Sequence, residues 1–310
     1  MRQSFESVRP MLCRLEEKLP SGPDWVFEPK WDGFRGILFK DGGRVRLASR
    51  NGKDLGAYFP NLIAAAASLP DCAIDGEIVA VKDGKQEFEL LQQALAGSKV
   101  PVALVAFDQL WLDGVDLTGD SFDTRRSSLE ESISPTEEFQ VTPQTHDRRL
   151  AEEWIRDLAP MGFEGVVAKR KSFSYKPGER AMVKVKHWET SDFVVGGYTG
   201  PLGDPRALLL GAFDSKGVLH HVGGTGFLSS ELREAFKAHL GELEGGSGFT
   251  GIQPSANRWQ SHRLTNWVPV TPRLVIEVLY NRMDSGRIRH SARFVRWRPD
   301  KRPEECVMTW

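Results

Sequence analysis

Lys30, Asp32 and Gly33 stand at a fixed spacing inside the stretch Glu28-Pro29-Lys30-Trp31-Asp32-Gly33-Phe34-Arg35-Gly36. A lysine amine is a nucleophile only when it has lost its proton, and at the ordinary pKa near 10.4 almost none has at neutral pH. Neighbouring cations would lower that value. The chain offers Arg35 locally, and Lys184 and Lys186 in Met182-Val183-Lys184-Val185-Lys186, where two-residue spacing puts both lysines on one face of a strand. The same charges would grip a phosphate. The Asp-Gly pair reads as a tight turn whose glycine takes a positive φ. Lys30 is then either a solvated charge at a strand end or a nucleophile held by the turn, and the tetrad alone does not decide.

The bulk properties narrow the field. The chain has 310 residues, 40% hydrophobic and 27% charged, with a formal net charge of -1. That is enough apolar material for one large or two ordinary globular domains. No apolar run approaches the ~20 residues of a membrane span, and the first residues lack the apolar core of a secretory signal. The reading is a cytoplasmic protein with no membrane partner. Cys13, Cys72 and Cys306 are scattered, which suits a reducing compartment. There is no CxxC and no HxxxH, so any catalytic metal is expected on carboxylates. Residues 282–302 concentrate basic side chains, which is either a polyanion contact or a solvated face.

The elements that would position these residues are mostly strands. Asp41-Gly42-Gly43, Asp83-Gly84 and Asp113-Gly114 each separate two β-prone runs and read as hairpin turns. Helices are expected over NLIAAAAS, FELLQQALA, RRSSLEESI and DRRLAEEWIRDLAPMG, the last capped by its glycine. Antiparallel sheets with flanking helices make an α+β domain of residues 1–187. Over 188–310 the texture changes to about five short strands, glycine-rich turns and one helix, the pattern of a small oligonucleotide-binding barrel. The glycines of VGGTGF read as a strand turn, since no lysine follows them as in a phosphate loop.

Other segments keep the lysine tetrad company. Ser49-Arg50-Asn51-Gly52-Lys53 follows it, then Asp75-Gly76-Glu77, Phe107-Asp108 and Glu164-Gly165-Val166-Val167-Ala168-Lys169. The Lys184/Lys186 pair comes next, and Arg296-Trp297-Arg298-Pro299-Asp300-Lys301 closes the series. Taken singly, each has a plain reading: Phe107 as a core aromatic, Glu77 and Glu164 as turn residues, the lysines as a solvated face. In this order and spacing the set resembles the covalent nucleotidyltransferase superfamily. Within it, the chain is similar to ATP-dependent DNA ligases of the bacterial ligase C type and to the ligase module of ligase D. Two departures are Met182, where many ligases carry tryptophan, and Ser291-Ala292 in place of prolines.

The resemblance implies a nucleotidyltransferase fold, with ATP-grasp-like antiparallel sheets and helices, followed by an oligonucleotide-binding barrel. It implies sealing of 3′-OH/5′-phosphate nicks in double-stranded DNA, with ATP and Mg²⁺ or Mn²⁺ as cofactors. Lys30 would attack the α-phosphorus of ATP and carry AMP. Glu28 would sit beside the adenine, Phe107 would stack on it, and Glu77 would meet the ribose. Arg35 would lie near the AMP phosphate and Arg50 near ribose or the 5′-phosphate. Glu164, with Glu77, would hold the metal, and Lys184 and Lys186 the α-phosphate. Arg298, Asp300 and Lys301 would orient pyrophosphate. A monomer working at the bacterial nucleoid is implied, with room for Ku and a separate repair polymerase as partners. The rival readings are an RNA ligase, a capping guanylyltransferase using GTP, and a nicked-DNA binding module without catalysis.

Overall fold

The computed structural model describes residues 8–254, 266–284 and 286–308. The chain divides into two compact units, Met1–His187 and Trp188–Trp310.

The first unit opens with β1 (Cys13–Leu15), β2 (Trp25–Lys30), β3 (Phe34–Asp41), β4 (Arg44–Ser49), β5 (Cys72–Val79), β6 (Val81–Lys82) and β7 (Lys85–Gln86). It continues with β8 (Ala103–Leu112), β9 (Val115–Asp116), β10 (Phe139–Val141), β11 (Gly165–Arg170) and β12 (Met182–Lys186). Its helices are α1 (Pro60–Ala65), α2 (Phe88–Leu95), α3 (Phe122–Ser132) and α4 (Arg148–Asp157). One sheet has the order β1-β12-β11-β2, the other β10-β8-β5-β3-β4 with β9 on β8. The pairing is antiparallel except at two edges, where β1 runs parallel to β12 and β10 parallel to β8. That corrects an all-antiparallel expectation: both exceptions are three-residue strands that reach the sheet after long connections, as parallel neighbours must.

Local chemistry explains the boundaries. Asp83-Gly84 and Asp113-Gly114 both take positive φ, as a two-residue hairpin turn demands. The fourth helix stops at Asp157, short of the expected glycine cap. Pro160 lacks an amide to continue it, and a 3₁₀ turn over Ala159–Met161 runs to Gly162 at φ 94°. The second sheet buries Leu38, Ile74, Ile78 and Leu104 with Leu62, Leu91 and Leu129 of the helices. The first sheet buries Phe27, Val166 and Val183 with Ala151 of α4.

The segment between Lys30 and Phe34 is not a hairpin turn. β2 pairs with β11 in the first sheet, whereas β3 pairs with β4 and β5 in the second, so Trp31-Asp32-Gly33 carries the chain from one sheet to the other. Gly33 takes no left-handed φ. It is needed for close approach, because a Cβ there would lie 2.0 Å from the Ile78 carbonyl oxygen.

The second unit has β13 (Glu189–Thr199), β14 (Ala207–Phe213), β15 (Leu219–Gly224), α5 (Ser230–Leu240), β16 (Trp267–Pro269) and β17 (Val275–Tyr280). It ends with β18 (Met283–Asp284), β19 (Arg287–Ile288) and β20 (Arg293–Trp297). The main sheet has the order β15-β14-β13-β17-β20, with β16 on β13 and a separate β18-β19 hairpin. Ser229 caps α5, which sends Phe236 and Leu240 into a core with Tyr198, Leu208 and Val278. Bent strands around one helix are the expected oligonucleotide-binding architecture, with more short strands than the glycine spacing suggested.

Arg125 anchors α3 to the second sheet. It is fully buried, donates to both Asp108 carboxylate oxygens at 2.7 and 2.9 Å, and its remaining arm reaches the carbonyls of Asp120 and Phe173. Arg125→Met strands a buried carboxylate, so the first unit should lose about 3–5 kcal/mol. Hydrogen exchange of the β8 amides in the full chain reads that loss; protection unchanged from wild type would show that the pair does not hold the helix.

Candidate active site

Strand register builds the site. Lys30, the last residue of β2, lies opposite Gly165 of β11, and Gly165 lies opposite Lys186 of β12. One step along, Glu28, Val167 and Lys184 form a second row. Residues two apart share a face, so Glu28, Lys30, Lys184 and Lys186 all project from the same side of the first sheet. The Glu164 amide donates to the Lys30 carbonyl at 2.9 Å, which sets the Glu164 side chain beside the amine. Glu164 Oε2 is 2.5 Å from Lys30 Nζ, and its Oε1 is 3.3 Å from Lys186 Nζ. A Cβ on Gly165 would lie 2.1 Å from the Val185 carbonyl oxygen, so only glycine lets β11 and β12 close here.

The second sheet supplies the other half. Arg35 of β3 is opposite Glu77 of β5 and forks onto buried Asp75 at 2.5 and 2.6 Å. Tyr175 donates to the same carboxylate and accepts from the Met11 amide. The Arg35 guanidinium lies 4.4 Å from the centre of the Phe107 ring, and Lys169 Nζ lies 4.5 Å from it. Cations therefore cover the ring expected to stack on a purine. Arg35, expected at a phosphate, is held by Asp75.

The lysine electrostatics reverse an expectation. Burial pulls the Lys30 ammonium down, but Glu164 and then Glu77 outweigh it and raise its pKa above the ordinary lysine value. The neighbouring cations do not win because the nearest charge is a carboxylate in contact. Burial and the mutual repulsion of the lysines instead lower Lys184 and Lys186. Burial pushes Glu77 up, while Lys30 and Arg35 pull it back. Burial likewise pushes Glu28 up, opposed by Lys169 and Arg126. Lys30 rests as an ammonium clasped by a carboxylate.

Of the sequence-derived residues, Lys30, Glu28, Arg35, Glu77, Phe107, Glu164, Lys184 and Lys186 come together in the first unit. Arg50 does not join their contacts and lies exposed in the turn after β4. Sequence reasoning missed Lys169, whose ammonium bridges Glu28 Oε2 at 2.8 Å and the Phe107 carbonyl at 2.9 Å. Its spacing of two from Val167 in a strand that carries the site was the available signal. Arg126, Gln86 and Thr142 were missed too, and nothing local in the sequence marks them.

In the second unit, Arg298 donates to both Asp192 oxygens at 2.8 and 2.7 Å and also pairs with Asp300, while Lys301 reaches Asp192 at 2.9 Å. Most of the basic run is similarly engaged: Arg282 and Arg289 with Asp284, Arg296 with Glu277, Arg302 with Glu305. Arg293 covers the Trp188 ring. The run is thus less free as a polyanion contact than its charge suggests.

A family profile described as "ATP dependent DNA ligase domain" matches residues 4–186, and one described as "ATP dependent DNA ligase C terminal region" matches 203–301. The chain is 39% identical to DNA ligase C2 of Mycolicibacterium smegmatis, covering 97% of this chain and 93% of that one. It is 36% identical to the multifunctional non-homologous end joining protein LigD of Mycobacterium bovis, where it covers 98% of itself but 40% of the relative. A solved structure of mycobacterial DNA ligase D complexed with ATP and MES matches with a TM-score of 0.56 at 32% identity, over 98% of this chain and 99% of that one.

The Lys30–Glu164 contact makes a measurable claim about the free protein. Glu164→Gln removes the largest influence raising Lys30 and leaves burial in place, so the Lys30 pKa should fall. NMR titration of ¹³C-dimethylated Lys30 reads it directly, and a value unmoved by the substitution would contradict the assignment.

Proposed function

The chain belongs to the ATP-dependent DNA ligase family, and from that membership we propose that Lys30 carries AMP and that the groove between the two sheets of the first unit is where ATP reacts. The observation that supports this most is the Lys30–Gly165–Lys186 register, with the Glu164 carboxylate bridging both ammonium groups beside a buried carboxylate, Glu28, two residues upstream.

Lys30 Nζ must first give up a proton. It then attacks the α-phosphorus of ATP; a P–N bond forms as the bond to the pyrophosphate oxygen breaks. Lys184 and Lys186 face the same side and neutralise the phosphate charge that builds in the transition state. The DNA 5′-phosphate oxygen next attacks the AMP phosphorus, the P–N bond breaks, and Lys30 leaves as the amine. The 3′-OH finally attacks the 5′-phosphate, sealing the strand and releasing AMP. The covalent route divides one hard step into easier ones.

Glu77 and Glu164 suit a hard divalent cation: both offer carboxylate oxygens around Lys30, and Glu164 raises Glu77 by repulsion, a repulsion that a cation would relieve. Mg²⁺ or Mn²⁺ held there would neutralise phosphate charge. Were Glu164 and Glu77 engaged by such a cation, Lys30 would lose the carboxylates that hold it as an ammonium, and burial would favour the free amine.

The second unit is proposed to grip nicked duplex, with Arg298, Asp300 and Lys301 acting on the pyrophosphate in the first step. Arg50, exposed, is proposed for the DNA end. The LigD relative's name supports a role in end joining; work in the bacterial cytoplasm alongside Ku and a polymerase is proposed with it. No described helix is long and apolar enough to cross a membrane.

Incubation with ATP labelled at the α-phosphate should leave AMP on Lys30 by mass spectrometry, and Lys30→Ala should abolish the label. AMP found on another lysine, with Lys30→Ala still active, would overturn the assignment. Arg298→Ala and Asp300→Ala should slow this labelling far more than sealing of pre-adenylylated nicks; the reverse pattern would remove them from the first step.

A further inference from the structure

Glu28 has an oxygen with nothing donating to it. The side chain is almost wholly buried, its Oε2 meets Lys169 Nζ at 2.8 Å, and its Oε1 accepts no hydrogen bond. Facing Oε1 at 3.7 Å is Arg126 NH1, a buried donor that likewise has no hydrogen-bond partner. The rest of the guanidinium is braced: Nε donates to Glu130 at 2.7 Å and NH2 to the Thr142 carbonyl at 2.6 Å. The charged groups facing Glu28 are Lys169 from β11, Arg126 from α3 and Asp108 from β8, the last already paired with Arg125.

An ionised carboxylate only accepts hydrogen bonds, whereas a protonated one also donates. Adenine carries an amino donor at the position where hypoxanthine and guanine carry a carbonyl acceptor. A carboxylate held in its charged form, with one lone pair free, would accept from the amino group and repel the carbonyl. Sites built around one hydrogen bond discriminate strongly, because the wrong partner leaves a buried group unmatched. Lys169 is committed to Oε2, so the charge standing over the free oxygen is Arg126.

We infer that Arg126 is a specificity-determining, positioning residue: it keeps Glu28 in the charged, acceptor-only form that selects a 6-amino purine nucleotide over a 6-oxo one. The inference rests on the proposed placement of Glu28 beside the base. Arg126 itself touches no substrate in this account.

The test is covalent labelling of Lys30 by ATP and by inosine triphosphate, compared as kcat/KM across pH 6 to 8. Wild type should prefer ATP at every pH. In Arg126→Met the ATP/ITP ratio should fall by roughly tenfold, within the range lost when a buried hydrogen-bond match is removed. It should fall further toward pH 6, because a carboxyl whose pKa is raised takes up its proton as pH drops through that higher value. Arg126→Gln, which can keep the Thr142 bond without the charge, should behave like Arg126→Met, and Arg126→Lys should restore the ratio. In a Glu28→Gln background Arg126→Met should leave the ratio unchanged. Equal losses for ATP and ITP at all pH, in both neutral variants, would reduce Arg126 to a structural residue and overturn the inference. Wild type labelled equally by both nucleotides would also overturn it while leaving the ligase reading intact. A wild type that forms no adduct with ATP would remove that reading first.

Discussion

The passage of the chain from one sheet to the other immediately after Lys30 is the constraint on which the site depends. Three side-chain or backbone contacts fix it from outside the segment. The Asp32 amide donates to Gln86 Oε1 at 2.9 Å, the Trp31 indole donates to Thr142 Oγ1 at 2.8 Å, and the Glu164 amide donates to the Lys30 carbonyl. Gly33 then passes so close to Ile78 that no side chain fits. A crossover held in this way places the amine at the margin of one sheet while Arg35, three residues after Asp32, already belongs to the other. Strand register, rather than loop geometry, therefore sets the spacing of Lys30, Lys184, Lys186 and Glu28, and rigid elements hold such spacing better than loops do.

Charges of opposite sign alternate through the cluster around Lys30. Lys30 sits against Glu164, Glu28 against Lys169, and Arg35 against Asp75. Each buried charge has a partner, which is what makes its burial tolerable. The pairing also raises Lys30 and so keeps it as an ammonium. Lys184 and Lys186 are lowered instead, yet they remain donors suited to an arriving phosphate. The bare protein holds Lys30 as an ammonium rather than as a free amine.

Much of this was legible in the sequence, and the failures have physical causes. The hairpins at Asp83-Gly84 and Asp113-Gly114 follow from local turn chemistry, and the helices from periodicity and caps. The site residues fell on short segments whose order could be matched without knowing their contacts. What could not be read was which sheet each strand joins. Treating Lys30-Trp31-Asp32-Gly33 as a hairpin gave Gly33 the wrong reason, and it hid Glu164, distant in sequence, as the charge closest to Lys30. The direction of the Lys30 shift was misjudged for that reason. Arg125 and Arg126 show the same limit: adjacent in an ordinary helix, they reach opposite sheets, one to Asp108 and the other to Glu28.

Counting charge along the second unit misleads in a related way. A window over 282–302 suggests a surplus of cations, yet Asp192 and Glu277, from strands far along the chain, take up Arg298, Lys301 and Arg296. A phosphate that engages Arg298 must therefore compete with the Asp192 carboxylate, whose two oxygens both accept from Arg298 NH1. Such a cation adds less to non-specific attraction for nucleic acid than an unpaired one, because its field is already cancelled nearby. It is better suited to exchange one anionic partner for another at a defined step. Asp192 is thus the carboxylate that any anion arriving at Arg298 and Lys301 would have to displace.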